Sequence, residues 1–271
     1  MNSTGVFERY LEILGVEAAP PSLGHLGRLT TAQLQRVPFE NISKLYLKKT
    51  QGATFVPPLE EHLDGIEHHH FGGTCYANNP YFFQLLEHLG YEVTLCGADM
   101  SDPDCHIVSF VGLEGRQYLV DVGYGGPFFE PLPRDLDEPH EILFGSCGYV
   151  LEPKDRECRS RLKMFRDNKL THGYLAKPQP RQIAFFEEII RDSYRDTAPF
   201  MNTVVVERFF PGRSVRIHNL SIIESTPKTS RSTALADHDE LARALEHHCG
   251  ISADLVRPAI KDVKLEGDIY S

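Results

Sequence analysis

Two strand-like runs meet at a dipeptide suited to a tight turn, and this pairing constrains the chain more than any other local feature. HisIleValSerPheValGlyLeu (106–113) and ArgGlnTyrLeuValAspValGly (116–123) flank Glu114-Gly115, a pattern that reads as a β-hairpin. A two-residue loop sets Leu113 opposite Arg116 and, carried outward, His106 opposite Gly123 and Val108 opposite Asp121. His106 and Asp121 then lie diagonally on one face, about 7–8 Å apart at the backbone and within side-chain reach. A four-residue loop gives the same register. An odd-length loop without a bulge places the two on opposite faces.

An imidazole beside a carboxylate gains chemical meaning from a nucleophile. Six cysteines (75, 96, 105, 147, 158 and 249) are scattered without CxxC pairs, the pattern of reduced thiols in an intracellular chain rather than of a disulfide framework. Cys75 alone follows GlyGlyThr and precedes a helical run. Small residues there permit close approach of a substrate, and a helix N-terminus favours a thiolate. Cys75, His106 and Asp121 together have the make-up of a triad that turns over a thioester or amide through an acyl-enzyme. Gly72 to Thr74 and the Cys75 amide are the candidate donors to a developing oxyanion. The other cysteines are read as packed thiols.

Around this constellation the periodicity runs helical, then β, then mixed. Phe7, Tyr10, Leu11 and Leu14 mark a first helix ending at Gly15, and Thr30 or Thr31 caps a short second helix that ends before Pro38. Residues 36–42 read as a rigid turn. Phe82, Phe83, Leu85, Leu86 and Leu89 mark a helix stopped by Gly90. Its start is open: Pro80 suits the first helical position behind Asn79, or the helix begins at Cys75 and bends at the proline. Strands are expected at 91–95, in the hairpin, and over 141–151 and 159–165. A helix follows over 181–194, then strands on either side of Pro211-Gly212-Arg213, including a single strand over 214–223. The last helix spans 234–248.

With 271 residues, 41% hydrophobic and 24% charged, the chain has the composition of a globular protein. A net charge of −10 argues against a nucleic-acid surface. No apolar stretch approaches the roughly 20 residues of a membrane span, and the N-terminus lacks the layout of a signal peptide, so the cytoplasm is the expected location. HisHisHis (68–70) has no HxxxH or CxxC companion. No metal site is expected, because adjacent residues cannot all aim at one ion; these histidines cap a helix or line the approach to Cys75. HisHisCys (247–249) reads as a helix terminus, and GlyTyrGlyGlyPro (123–127) is not a dinucleotide fingerprint.

Taken together, ValProPheGluAsnIle (37–42), GlyGlyThrCysTyrAlaAsnAsn (72–79), the histidine strand and LeuValAspValGlyTyrGly (119–125) resemble the arylamine N-acetyltransferase family. The resemblance implies an α+β fold with a papain-like core. Its parts are a helical bundle with the cysteine (1–90), an antiparallel β-barrel with the histidine and aspartate (91–180) and an α/β lid (181–271). It further implies that Cys75 accepts an acyl group from acetyl-CoA or another acyl-CoA, a co-substrate rather than a resident cofactor. His106 moves the proton, Asp121 orients the imidazole, and an arylamine, hydrazine or arylhydroxylamine receives the acyl group. Gly123, Tyr124, Gly125 and Gly126 would border CoA; Phe39, Thr74, Phe128 and Phe129 would line the substrate pocket. Core packing is the other reading of Tyr124, Phe128 and Phe129. Glu40 and Asn41 are expected to have a structural role.

Three positions depart from the family pattern. Phe71 stands where an arginine precedes GlyGly, Ala77 where a glutamate follows the cysteine, and Met201 where the lid has a serine. Loss of both members of a charged pair fits replacement by apolar packing. A biosynthetic amide synthase or hydrolase with a non-CoA donor is the alternative, and a catalytically silent binding homologue is a third. The chain is expected to be a monomer or homodimer acting on small molecules.

Overall fold

Helix α1 (Ser3–Leu14) opens the computed structural model, which describes residues 3–265. It buries Tyr10, Leu11 and Leu14 and stops at Gly15 in the left-handed region. The outermost residues of the expected first and third parts, 1–2 and 266–271, lie outside the described residues. Helix α2 (Leu23–Arg36) is longer than the periodicity implied. Ser22 caps it by accepting the His25 amide, while Thr30 sits inside it and donates to the Leu26 carbonyl. Burial of Leu26 and Leu29 carries the helix through the threonines that were expected to start it.

The expected turn at 36–42 contains a short strand, β1 (Phe39–Glu40), paired antiparallel with Val206 and Glu207. Two helices without a clear sequence signal follow, α3 (Ile42–Gln51) and α4 (Leu59–His69). Helix α5 (Cys75–His88) begins at the cysteine, with Thr74 at its N-cap and Pro80 inside it. That settles the open choice: Cys75 is the first helical residue, and Pro80 removes one backbone donor from the following turn.

Eight strands then form one antiparallel sheet that curls into a nearly closed barrel. They are β2 (Glu92–Asp99), β3 (His106–Leu113), β4 (Arg116–Val120), β5 (Leu132–Pro133), β6 (His140–Phe144), β7 (Cys147–Leu151), β8 (Ser160–Arg166) and β9 (Lys169–Pro180), in the order β5-β4-β3-β2-β9-β8-β7-β6. The run at 141–151 divides into a hairpin at Gly145, whose φ is 61°. The long β9 had no sequence signal, being poor in β-branched residues; its pairing with β2 and β8 holds it extended.

The remainder comprises a 3₁₀ turn (Ile183–Phe186), α6 (Glu187–Asp192), α7 (Pro199–Asn202), β10 (Val205–Phe210), β11 (Arg213–His218), β12 (Ser221–Ser225), β13 (Ser230–Ala234), α8 (His238–Cys249) and α9 (Ala253–Ile260). A second antiparallel sheet has the order β1-β10-β11-β12-β13. The expected strand over 214–223 breaks at Asn219, φ 50°, and pairs with itself as β11 and β12. Ala234 ends a strand rather than starting a helix, because Asp237 caps α8 by accepting the Asp239 and Glu240 amides. Ile42 and Leu45 of α3 share a core with Val206, Ile217, Leu245 and Val256, so N-terminal chain is built into the C-terminal layer. Among the described residues no helix is long and apolar enough to cross a membrane.

Candidate active site

Glu114 and Gly115 both have positive φ, 53° and 75°, which makes the loop a two-residue turn matched to strand twist. The ladder runs from Leu113↔Arg116 to Ser109↔Val120, the register counted from the sequence. His106 and Asp121 consequently share a face, and His106 Nε2 lies 2.8 Å from Asp121 Oδ2 with both side chains buried.

The remaining capacity of Asp121 is met from α5 and from its own loop. Asn79 Nδ2 donates to Asp121 Oδ1 at 2.8 Å and to the Ile107 carbonyl at 2.6 Å, while Asn79 Oδ1 accepts the Val122 amide at 2.8 Å. The Gly123 amide donates to Asp121 Oδ1 at 3.0 Å. Burial alone would raise the carboxyl, but the His106 charge and these donors outweigh it and hold Asp121 below the usual carboxylate range. For His106, burial works against the charged form. The Asp121 charge, the Cys75 charge and hydrogen bonds to both prevail and push the imidazole up to about 10. With Nε2 engaged by Asp121, Nδ1 is the ring nitrogen left for the thiol. The rings of Tyr174 and Tyr124 flank the imidazole at 4.9 and 5.8 Å.

Cys75 is buried at the first position of α5, where backbone N–H groups have no intrahelical acceptor and the helix dipole favours an anion. Gly123 explains how strand and helix come so close: a Cβ there would lie 2.7 Å from Cys75 Cα and 2.7 Å from Asn79 Nδ2. Phe186, Ile190 and Tyr194 belong to the same buried cluster as Cys75, together with Leu95 and Ile107. Of the candidate oxyanion donors, the Gly72 amide is engaged by Glu40 Oε1 at 2.9 Å and the Gly73 amide by the Pro38 carbonyl at 3.3 Å. Thr74 and Cys75 at the helix start keep that candidacy. All six cysteines are free thiols; burial pushes Cys96 and Cys249 up to about 12, making them poor nucleophiles.

The expected CoA-bordering run, Gly123 to Gly126, is buried throughout. Tyr124 lies inside the barrel, its hydroxyl 2.8 Å from His172 Nδ1 and its ring stacked on Phe128 at 5.9 Å. Gly125 has φ 75° and packs against the Phe39 ring, and Gly126 packs against Phe128. Phe39 bridges by its backbone to Gly73 and meets Phe200 edge-on at 6.1 Å. Thr74 is the buried cap of α5. Phe129 turns elsewhere, to Phe209 at 5.4 Å and Phe144 at 6.5 Å. Tyr124 and Phe128 thus border the imidazole side of the barrel, whereas Phe129 fills the seam with the second sheet.

Glu40 and Asn41 act as braces. Glu40 accepts the Ser43 and Gly72 amides, each at 2.9 Å, and burial raises its carboxyl despite them. Asn41 donates to the Phe200 and Thr203 carbonyls and accepts the Val205 amide, tying the stretch that contains Met201 to the start of α3. Phe71 and Ala77 are both buried in apolar clusters. His68 is exposed beside Asp64 and Glu67, whose carboxylates bind Arg9. His70 caps α4 at φ 56°, and His247 and His248 lie in the last turn of α8. Asn79 and Tyr174 were not singled out in the sequence as site residues. The sequence offered Asn79 as a possible helix cap and as the last residue of the 72–79 element, without a role at the site, and Tyr174 lies on the unanticipated β9.

A helix-terminal cysteine set against a buried histidine–aspartate pair on a barrel hairpin defines a class of α+β protein with a papain-like arrangement. A family model described as N-acetyltransferase matches residues 22–257. Arylamine N-acetyltransferase 1 of Mus musculus is 30% identical over 218 residues, 71% of this chain and 72% of that one. Proansamycin X synthase of Amycolatopsis mediterranei is 32% identical over 132 residues, 46% of this chain and 49% of that one, so the chain spans about half the length of that relative. Among solved structures, the arylamine N-acetyltransferase of Mycobacterium abscessus superposes with a TM-score of 0.79 at 18% identity, covering 97% of this chain and 95% of that one. The Mycobacterium marinum arylamine N-acetyltransferase in complex with CoA does so with a TM-score of 0.79 at 21% identity, covering 95% and 99%. The chain belongs to the arylamine N-acetyltransferase family.

Proposed function

We propose that this chain is an acyltransferase that moves an acetyl or similar short acyl group from acyl-CoA, through a thioester on Cys75, to the nitrogen or oxygen of an arylamine, hydrazine or arylhydroxylamine. The observation that carries the reading is the buried His106–Asp121 pair facing the helix-terminal Cys75. Cys75 as thiolate attacks the acyl carbonyl, and the CoA thiolate leaves with the proton from imidazolium His106. The acceptor then attacks the Cys75 thioester, returns a proton to His106 and releases the Cys75 thiolate. Asp121, fixed by Asn79, keeps the imidazole oriented while it gives up its proton in the first half and regains one in the second. A family relative solved with CoA supports acyl-CoA as the donor. Gly123, Tyr124, Gly125 and Gly126 are the proposed CoA-bordering run, supported by the Tyr124 ring beside His106, and Phe39, Thr74, Phe128 and Phe129 are the proposed pocket residues. Free thiols throughout suit a cytoplasmic setting.

A second reading, a biosynthetic enzyme using another acyl donor, draws on the similarity to proansamycin X synthase and on Met201 in place of serine. Intact-mass measurement after incubation with acetyl-CoA separates the two. A single acetyl adduct that disappears in Cys75→Ala is expected. Absence of any adduct with acetyl-, propionyl- and malonyl-CoA overturns the proposal, and labelling by other thioesters alone favours the second reading.

A further inference from the structure

The residues on either side of Cys75, Thr74 and Tyr76, line a cavity of about 260 Å³ that opens between α3 and α4. Among the described residues Lys44 is the one lysine or arginine in its wall, and Phe71 stands there in place of the family pattern's arginine. Lys44 is 5% exposed. Its Nζ lies 4.3 Å from the centre of the Tyr194 ring, and Tyr194 belongs to the buried cluster that contains Cys75. Ser193 Oγ accepts from Nζ at 2.7 Å while donating its own proton to the Ile190 carbonyl at 2.6 Å, which fixes the amine over that ring.

A buried ammonium needs a negative partner. Among the described residues no carboxylate lies within ion-pair distance of Lys44. Glu40, four residues earlier, spends its oxygens on the Ser43 and Gly72 amides. At the cavity mouth Asp64 is bonded to Arg9, and Glu61 is exposed. Burial pushes His62 down to about 4, so it is neutral at pH 7, and burial raises the hydroxyls of Tyr76 and Tyr194, which stay neutral as well. Lys48, one turn along α3, adds a like charge and is itself held by Asp196. The negative charge that acts on Lys44 is that of Cys75: burial lowers the amine to about 7 against its pull. Coupling between two charges is reciprocal, so the thiolate gains from the ammonium what the ammonium gains from the thiolate.

We propose that Lys44 is a positioning residue for the reaction, its ammonium stabilising the Cys75 thiolate from α3 while His106 does so from the barrel. The nucleophile then has two cations on two separate layers, the second outside the triad. The proposal rests on the reading of Cys75 as the nucleophile, but it concerns the thiolate before any acyl group arrives. Because the amine titrates near 7, its help is present below that pH and lost as pH rises through it.

Alkylation of Cys75 by iodoacetamide, followed by mass from pH 6 to pH 9, tests it. Wild type is expected to react at least about threefold faster than Lys44→Met at pH 6, the effect of half a unit in the thiol's titration, and at the same rate at pH 9. Lys44→Arg, charged throughout, should keep the wild-type rate at pH 6. A wild-type to Lys44→Met ratio that stays constant with pH marks a structural defect and overturns the proposal, as does a ratio of one at pH 6 or an equal loss in folded Lys44→Arg. Where Lys44→Met does not fold, NMR titration of the Lys44 side chain in wild type and in Cys75→Ala decides. A lower midpoint without the thiolate is expected, and an unchanged one overturns the proposal. Absence of an acetyl adduct with acetyl-CoA would sink the donor reading and leave this result standing, since iodoacetamide reads the thiolate alone.

Discussion

The side-chain amide of Asn79 donates to Asp121 Oδ1 at 2.8 Å, joining the helix that begins with Cys75 to the strand end that orients His106. The same amide group also engages Ile107 and Val122. One residue on the second turn of α5 therefore fixes the distance between nucleophile and imidazole.

Asn79→Ala leaves a buried carbonyl and a buried amide unpaired and removes a donor from Asp121. Destabilisation of about 2–4 kcal/mol is expected, read from urea unfolding. Alkylation of Cys75 by iodoacetamide at pH 6 should slow in the folded variant. An unchanged alkylation rate would mean that Asn79 is only structural.

His106, held up at about 10, differs from the roughly 6.5 of an unfolded chain. Because the folded value is the higher one, its stabilisation is fully present below about 6.5 and fades as pH rises through about 10. NMR titration of the His106 ring should show imidazolium across neutral pH, and Asp121→Asn should bring the midpoint down. A wild-type midpoint near 6.5 contradicts the charged pair. Asp121, held low, contributes in the opposite sense, with stability present above about 3.9 and lost as pH falls through its lower folded value.

Gly123→Ala introduces a methyl group where Cys75 Cα and Asn79 Nδ2 would each lie 2.7 Å away. Neither neighbour is the loose end of a flexible chain, so α5 must shift. About 1–3 kcal/mol of destabilisation is expected, with at least a tenfold loss of Cys75 acylation, since small displacements of reacting groups are costly. Wild-type acylation would show that the strand and helix have slack.

Glu40→Ala removes the acceptor for the Ser43 and Gly72 amides and so loosens the loop leading to Cys75. Two buried donors without partners cost about 2–5 kcal/mol, measurable by thermal or urea melts. Glu40→Gln keeps one acceptor oxygen and should lose less. Equal losses in the two variants would point to the charge rather than to the amide contacts.

Local pattern was enough to establish the hairpin. Glu114-Gly115 admits a two-residue turn, strand alternation has a period of two, and together they place His106 and Asp121 on one face before any third element is considered. The first helix was equally legible, because its apolar stripe and Gly15 are local signals. The start of α5 was not: Pro80 suits a helix N-terminus, and only packing against β2 and β3 extends the helix back to Cys75. Likewise β9 and the β1–β10 pairing come from partners distant in sequence, which no short window contains. Tertiary structure alone decided that Asn79 braces Asp121, that Phe129 faces the seam while Phe128 faces the barrel, and that Lys44 is buried without a carboxylate. Each depends on which surfaces meet in three dimensions, whereas the residue types available for the chemistry and the face shared by His106 and Asp121 are properties of the chain itself.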